Sequence, residues 1–361
     1  MVAATKMPAV MRGAAIGLAF GALLGLAACG GASVPAGSSA APASGGSLAD
    51  RARQEREVVW YSADADDVAN PVIQAFQKAY PGITVSHTNE KQQSMFSDGQ
   101  VQQAAKKVTI DVASTANDVA ETIANHMPAS VDWAKLGVPQ DRILQDVVEV
   151  GGNSVVIIYN TQKVAAADAP KSWDDLLDPR WAGKMAVDGR ASWMPMYLAA
   201  PELGGKDKGL EFARKLAAQK PLFQANNSAV EPMVISGQVP IGTDVVSQFL
   251  TTSKKSPPIE IAPVSPVYEA LTYAYVPAGA PHMNAAELLV SWLGSDAGQA
   301  ALSAAGAGSL GSCDAAQPSP TTKALCDRHI KYVKFTQLSQ FQEIAAYQKQ
   351  VQQALGTFTG S

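Results

Sequence analysis

Hydrophobic positions along this chain switch between short continuous runs and a spacing of three to four residues. Glu57-Val58-Val59-Trp60-Tyr61-Ser62 is a β-prone run that stops at Ala63-Asp64-Ala65-Asp66. Val68, Val72, Ile73, Phe76 and Tyr80 then recur at helical spacing. Pro81-Gly82 punctuates the pattern, and Ile83-Thr84-Val85 starts a second extended run. Strand, helix and strand within about thirty residues predict a βαβ unit, and with it a parallel sheet. Trp60 and Tyr61 alternate on the first strand, so one of them faces core.

The same alternation continues. Residues 109–113 and 155–159 read as strands, the second continuously apolar. At residues 170–176 Ser172 is placed to cap a helix whose first turn is acidic. A strand over 184–187 runs into Asp188-Gly189-Arg190-Ala191-Ser192, where another helix is expected to open. Residues 210–218 are helical, 239–242 extended, 271–276 extended and 285–293 an amphipathic helix. Residues 330–355 are Gln-rich and helical in pattern. Two α/β patterns thus lie in series, strand–helix alternation resumes after about residue 265, and no short repeat is visible.

Composition changes this picture mainly at the N-terminus. Residues 1–12 carry Lys6 and Arg12 and no acid, and residues 13–28 are uninterrupted Gly, Ala, Leu, Ile and Phe. That is the pattern of a secretory signal, too short for the roughly 20 residues of a spanning helix. It ends Leu26-Ala27-Ala28-Cys29, which resembles the lipobox of bacterial lipoproteins, where the cysteine is lipidated and becomes the mature N-terminus. An ordinary signal peptide or a retained anchor is the alternative, and Met7 and Met11 are other possible starts. Gly, Ser, Ala and Pro dominate up to about residue 49, a tether composition that buries too little apolar surface to order itself. Without Lys6 and Arg12 the chain has 26 basic and 32 acidic residues, and no basic run suggests nucleic acid. Cys313 and Cys326 remain, and in an oxidising compartment they are expected to pair as a disulfide; a thiolate metal pair has no companion ligands nearby.

Four segments in order resemble the type 2 periplasmic solute-binding proteins of ABC importers, closest to their ferric-iron-binding branch. They are the opening strand and helix with Ala75-Phe76; residues 170–184, reading PKSWDDLLDPRWAGK; Gly237-Gln238-Val239-Pro240-Ile241-Gly242; and Ala280-Pro281-His282-Met283-Asn284-Ala285-Ala286, followed by Trp292-Leu293-Gly294-Ser295 and Gly298-Gln299. The resemblance covers about residues 57–312. It implies an α/β protein of two lobes with a ligand cleft between them and two crossover strands as hinge, near 153–156 and 263–268. The expected organisation is a signal peptide over 1–28, lipidated Cys29 and tether to 53, and lobe 1 over 54–152. Lobe 2 follows over 153–266, the rest of lobe 1 over 267–312, and a disulfide loop with helical tail over 313–361.

In such lobes ligands lie beyond the carboxyl ends of strands, near unpaired helix N–H groups. That places the candidates at Ser62 and Asp64, Ser114 and Thr115, Arg190, Ala191, Ser192 and Trp193, Asn226, Asp244, and Tyr268. The 188–193 loop offers the parts of an oxyanion cradle: a glycine, a guanidinium fork, a hydroxyl and a helix start. Its plain alternative is a solvated Arg190, a capping Ser192 and a core Trp193. Ferric-binding relatives carry two adjacent tyrosines after the strand that ends near Asp244; here those positions are Val245-Val246. No metal ligands and no cofactor are therefore assigned. The four histidines (His87, His126, His282, His329) lack ligand spacing.

An enzyme is disfavoured, since no nucleophile elbow or His-Glu-x-x-His occurs. The expected function is that of a monomeric, lipid-anchored binder of a small anion (an organic acid, a phosphonate or phosphate ester, or a chelated metal) on the outer face of the cytoplasmic membrane. Its partners would be a permease and an ATPase. Ferric-iron carriage with atypical ligands, or ligand sensing for a membrane receptor, is the alternative.

Overall fold

A computed structural model describes residues 46–308, 311, 313–314 and 318–357. Cys29, the signal segment and most of the tether lie outside the described residues. The strands are β1 (Glu57–Ser62), β2 (Thr84–Asn89), β3 (Val112–Thr115), β4 (Ile143–Leu144), β5 (Val147–Asn160), β6 (Met185–Asp188), β7 (Leu222–Gln224), β8 (Ile241–Val245), β9 (Ile259–Ile261), β10 (Val267–Tyr275) and β11 (Tyr332–Val333). The helices are α1 (Leu48–Glu55), α2 (Asp66–Ala79), α3 (Gln92–Ala104), α4 (Val119–Ala124), α5 (Met196–Ala199), α6 (Gly205–Ala218), α7 (Asn227–Ile235), α8 (Val246–Ser253), α9 (Met283–Leu293), α10 (Asp296–Ala304), α11 (Pro320–Cys326) and α12 (Leu338–Leu355).

One hydrogen-bonded path, β2-β1-β3-β10-β5-β8-β6-β7, links the strands of the described residues. β1 pairs in parallel with β2 and β3, and β6 pairs in parallel with β7 and β8. Between these parallel groups stand β5 and β10, antiparallel to each other and to their outer neighbours. β5 is 14 residues long: its first half pairs with β10 and its second half with β8 and β9. One strand therefore serves both halves of the sheet, and that position explains why all of it except Gly152 and Asn153 is buried.

Buried side chains form two core clusters, one within the first half and a larger one that reaches into both. Val58, Trp60, Val72, Phe76, Leu289 and Trp292 bury one face of the first half beneath α1, α2, α9 and α10. Residues 155–159, Trp173, Trp193, Phe212 and Leu216 belong to a second cluster, which the C-terminal Phe341, Ile344 and Tyr347 join. Trp60 is the inward member of the Trp60–Tyr61 pair, with Tyr61 only partly buried.

Several predicted elements shift. Helix α1 occupies positions read as tether: Ser47 and Asp50 form a reciprocal capping box, and Ala52 is fully buried. Leu48, Ala49 and Ala52 are its only apolar residues, too few to give a clear hydrophobic periodicity. The helix expected after Ser192 shrinks to the four residues of α5, because residues 191–195 are spent on turns and Pro195 precedes the first helical residue. Ser172 Oγ does accept from Asp175 N, at 3.3 Å, while Asp175 Oδ2 accepts from Ser172 N at 3.1 Å; the helix so capped is one 3₁₀ turn. The Gln-rich tail begins as β11 and becomes helical only at Leu338. Cys313 and Cys326 are bonded, with Cα atoms 5.8 Å apart.

Candidate functional site

The register makes the carboxyl ends of the two parallel groups face each other. β3 ends at Thr115, opposite Tyr273 of β10, which in turn is level with Glu149 of β5. β8 runs the opposite way and ends at Val245, opposite Val155 of β5. The β5 segment between those levels, residues 150–154, spans about 16 Å at about 3.3 Å per residue. Within it Gly152 and Asn153 are half-buried, as are Ala270 and Thr272 on β10. Facing strand ends above a two-strand floor are where an α/β sheet takes its ligand, since backbone N–H groups there lack helical or ladder partners.

On the first half, Tyr61 pairs with Ala113, so Ser62 and Ser114 finish side by side. Ser62 Oγ donates to Asp64 Oδ2 at 3.0 Å and accepts from Asp64 N at 3.1 Å. His87 arrives from β2, with Nε2 3.0 Å from Ser62 Oγ and Nδ1 3.2 Å from Asp66 Oδ1. Burial raises the Asp64 carboxyl above its usual range, against the lowering effect of the Ser62 hydrogen bond. A Ser–His–Asp chain suggests nucleophilic catalysis, but Ser62 has no exposed surface and its hydroxyl is already tied to Asp64. This chain of contacts locks the end of β1.

On the second half, Asp188 ends β6 with no exposed surface and collects the nearby donors. Arg190 Nε and Nη2 bond its two oxygens at 3.0 and 2.7 Å, Arg190 N bonds Oδ1 at 2.9 Å, and Asn227 Nδ2 bonds Oδ2 at 3.1 Å. These bonds raise the guanidinium pKa further. The Arg190 side chain stays 56% exposed, and its Nη1 has no acceptor among the described residues. Asp188 thus neutralises one edge of the guanidinium and orients it, leaving the other edge exposed.

The remaining predicted residues separate into strand-end and core positions. Asn226 is exposed and caps α7, its Oδ1 accepting from Ala229 N at 3.0 Å. Ser192 is half-buried, and Ala191 is buried with φ 57, a left-handed conformation that a non-glycine residue rarely holds. Trp193 is a core residue: its ring stacks on Trp173 with centroids 4.8 Å apart and meets Phe212 edge-on. Thr115 turns to α4, donating to Asp118 Oδ1 at 2.8 Å. Tyr268 is buried against Phe335. Burial pushes up the pKa of the Tyr268, Tyr273 and Tyr275 phenols, so none is a ready phenolate.

Asp244 also lies away from the strand-end floor. It sits beneath α7 with no exposed surface, close to the Glu231 carboxyl, while its Oδ1 accepts from Val245 N at 2.8 Å. Burial first, and Glu231 second, push this carboxyl up to about 8. Asp244 Oδ2 and Glu231 Oε1 have no hydrogen-bond partner among the described residues. Burial beside a second carboxyl thus favours the protonated form of Asp244.

Sequence reasoning missed His87, Asn153 and Ser247. Asn153 Nδ2 donates to Ser247 Oγ at 2.6 Å across the floor, and His87 reaches Ser62 only through the β1–β2 register. A cavity of about 330 Å³ lies elsewhere, lined by Trp173, Tyr197, Phe212, Lys208, Glu211 and Lys215. Lys208 and Lys215 both pair with Glu211, lowering its carboxyl to about 2, so these rim charges satisfy one another.

The pattern defining the family described as "Bacterial extracellular solute-binding protein" matches residues 72–328. An "Fe(3+)-binding periplasmic protein" of Serratia marcescens is 29% identical over 209 residues, 54% of this chain. The chain spans 58% of that relative's length. Iron-bound HitA from Pseudomonas aeruginosa superposes with a TM-score of 0.67 at 18% identity, covering 82% of this chain and 99% of that one. The apo ferric ion-binding protein A of Pasteurella haemolytica gives 0.68 at 15% identity, covering 85% and 100%. The Atu4243-GABA receptor gives 0.68 at 18%, covering 84% and 99%. These likenesses give the fold as that of the type 2 periplasmic binding proteins, and with the family match over residues 72–328 the chain belongs to the bacterial extracellular solute-binding proteins.

Proposed function

We propose that this chain is the lipid-anchored solute-binding component of an ABC importer, working outside the cytoplasmic membrane with a permease and an ATPase. Its solute is a small anion, held between lobe 1 (54–152 and 267–312) and lobe 2 (153–266) and enclosed by hinge bending of β5 and β10. The observation that carries this reading is Arg190: an exposed guanidinium, oriented by buried Asp188 and left with an open donor edge at a facing strand end. Asp64, Ser114, Ser192 and Asn226 supply the surrounding polar groups, with Asn153 and Ser247 on the floor. Valines at 245 and 246, together with the buried phenols, favour an anion over bare ferric iron.

The test is mass spectrometry of small molecules released by denaturing the purified protein, followed by titration of the identified compound into the Arg190→Lys variant. Lysine keeps a counter-charge for Asp188 but lacks the fork. Loss of about 1.5–3 kcal/mol, roughly 10- to 150-fold in affinity, is expected. Unchanged affinity refutes the assignment, and a visible charge-transfer band on adding ferric citrate would establish iron binding instead. Lipidation is tested separately: wild-type protein extracted from membranes should exceed its polypeptide mass by a diacylglyceryl adduct, and Cys29→Ser should release it to the soluble fraction.

A further inference from the structure

The helical tail has a feature that the solute-binding reading leaves unexplained. α12 lies outside residues 72–328, the segment that matches the family pattern. One stripe of it, Phe341, Ile344, Tyr347, Val351 and Leu355, is buried. The helix packs on α6 of the second half of the molecule and also on α4, which follows the Ser114–Thr115 strand end of the first. Its approach to α6 is tight at Gly209, where a Cβ would already stand 2.9 Å from Tyr197 Cγ and would collide with Tyr347.

Beside the buried stripe, one turn apart, stand Gln348 and Gln352. Both side-chain amides donate to a single acceptor, Arg190 O, at 2.9 and 3.0 Å. Thr357 Oγ1, just past the helix, donates to the neighbouring Gly189 O at 2.8 Å. Three donors from one tail thus hold two consecutive carbonyls. The next residue is Ala191, at φ 57. A non-glycine residue in that region persists only where its surroundings over-determine it, and these three bonds supply such a constraint from outside the loop.

We propose that α12 is a positioning element for the Arg190 loop. Gln348, Gln352 and Thr357 fix the backbone that aims the guanidinium, and the contact with α4 ties that loop to the opposite half of the molecule. The proposal rests on the reading of Arg190 as the solute-holding residue, and its test separates the two.

Gln348→Glu/Gln352→Glu preserves side-chain shape while removing both donors at neutral pH. Gln348→Ala/Gln352→Ala is the second variant, in case the charge disturbs folding. Amide hydrogen exchange is followed in the full-length protein without added ligand, at Arg190, Ala191 and Met194. Their N–H groups bond Asp188 Oδ1, Asp188 O and Ala191 O. Exchange there should accelerate about tenfold or more, with α6 and β8 within twofold of wild type. Unchanged loop exchange in both variants overturns the proposal. Acceleration spread equally over α4, α6 and the loop also overturns it, because the tail would then be only a packing element. Citrate and inorganic phosphate are then titrated into wild type, Arg190→Lys and the glutamine variants. If the loop loosens as expected while Arg190→Lys binds each probe as wild type does, positioning stands and the solute-holding role of Arg190 falls.

Discussion

Asp244→Asn should make this protein more stable, increasingly so as the pH rises from about 4 to about 8. Asp244 has no exposed surface, and burial with the Glu231 carboxylate lifts its pKa from 3.8 to about 8. Across that window the folded chain holds a proton that the unfolded chain has released. Linkage then requires stability to fall with pH: this acid's contribution is intact below its unfolded pKa and is lost as the pH rises through its folded pKa. About four pH units at about 1.4 kcal/mol each set a ceiling of about 5–6 kcal/mol. Relaxation and water penetration bring the expected difference to about 2–4 kcal/mol. Asparagine supplies a permanent donor toward Glu231 and keeps an acceptor for Val245 N, so it mimics the protonated acid. Urea unfolding of wild type and variant at pH 4.5, 6 and 8 measures the effect. A difference between the two proteins that stays flat across this range would refute the reasoning, since Asp244 would then be ionised within the fold. Glu231→Gln should remove part of the same slope.

Replacing both Cys313 and Cys326 with serine should lower stability by about 3 kcal/mol in the chain-entropy account of a short loop, read as a drop in the urea midpoint; an unchanged midpoint would show that the crosslink constrains little. His282 bonds Asp111 through Nδ1 at 2.9 Å and through its backbone N at 2.8 Å, and the Asp111 bond raises its pKa above the ordinary imidazole value. Its contribution is therefore present below about pH 6.5 and lost as the pH rises through the folded pKa. His282→Gln should cost about 1 kcal/mol more at pH 5.5 than at pH 8.5, and a cost independent of pH would contradict the pairing. A Cβ at Gly242 would lie 2.6 Å from Val230 Cγ1 and 2.9 Å from Ala186 O, so Gly242→Ala should push α7 off the sheet and cost about 1–3 kcal/mol. A wild-type melting temperature in that variant would mean that α7 yields freely.

The first βαβ unit, the strand at 155–159 and the helix at 285–293 were legible because each carries its burial in a local pattern, apolar residues at helical spacing or in one unbroken run. The 188–193 loop was also legible as unusual, through its run of glycine, arginine and serine. Its two readings could not be separated locally, and the structure divides them by residue. Trp193 goes to the core, Arg190 stays exposed, and the expected helix start reduces to turns ahead of a four-residue helix. Asp244 and Tyr268 were drawn toward the ligand by their places next to strand ends. Side chains alternate across a strand, however, and the face on which a residue falls depends on what packs there.

What the sequence determined alone was therefore the order of elements, the series of two α/β patterns and the polarity of the strand-end loops. All of these follow from spacing within one stretch of chain. The tertiary structure decided which groups meet: Asp188 with Arg190 and Asn227, His87 with Ser62, Glu231 with Asp244, and Gln348 and Gln352 with the carbonyl of Arg190. Contacts between residues up to 162 positions apart depend on strand register and helix docking, which are settled by the packing of the whole molecule.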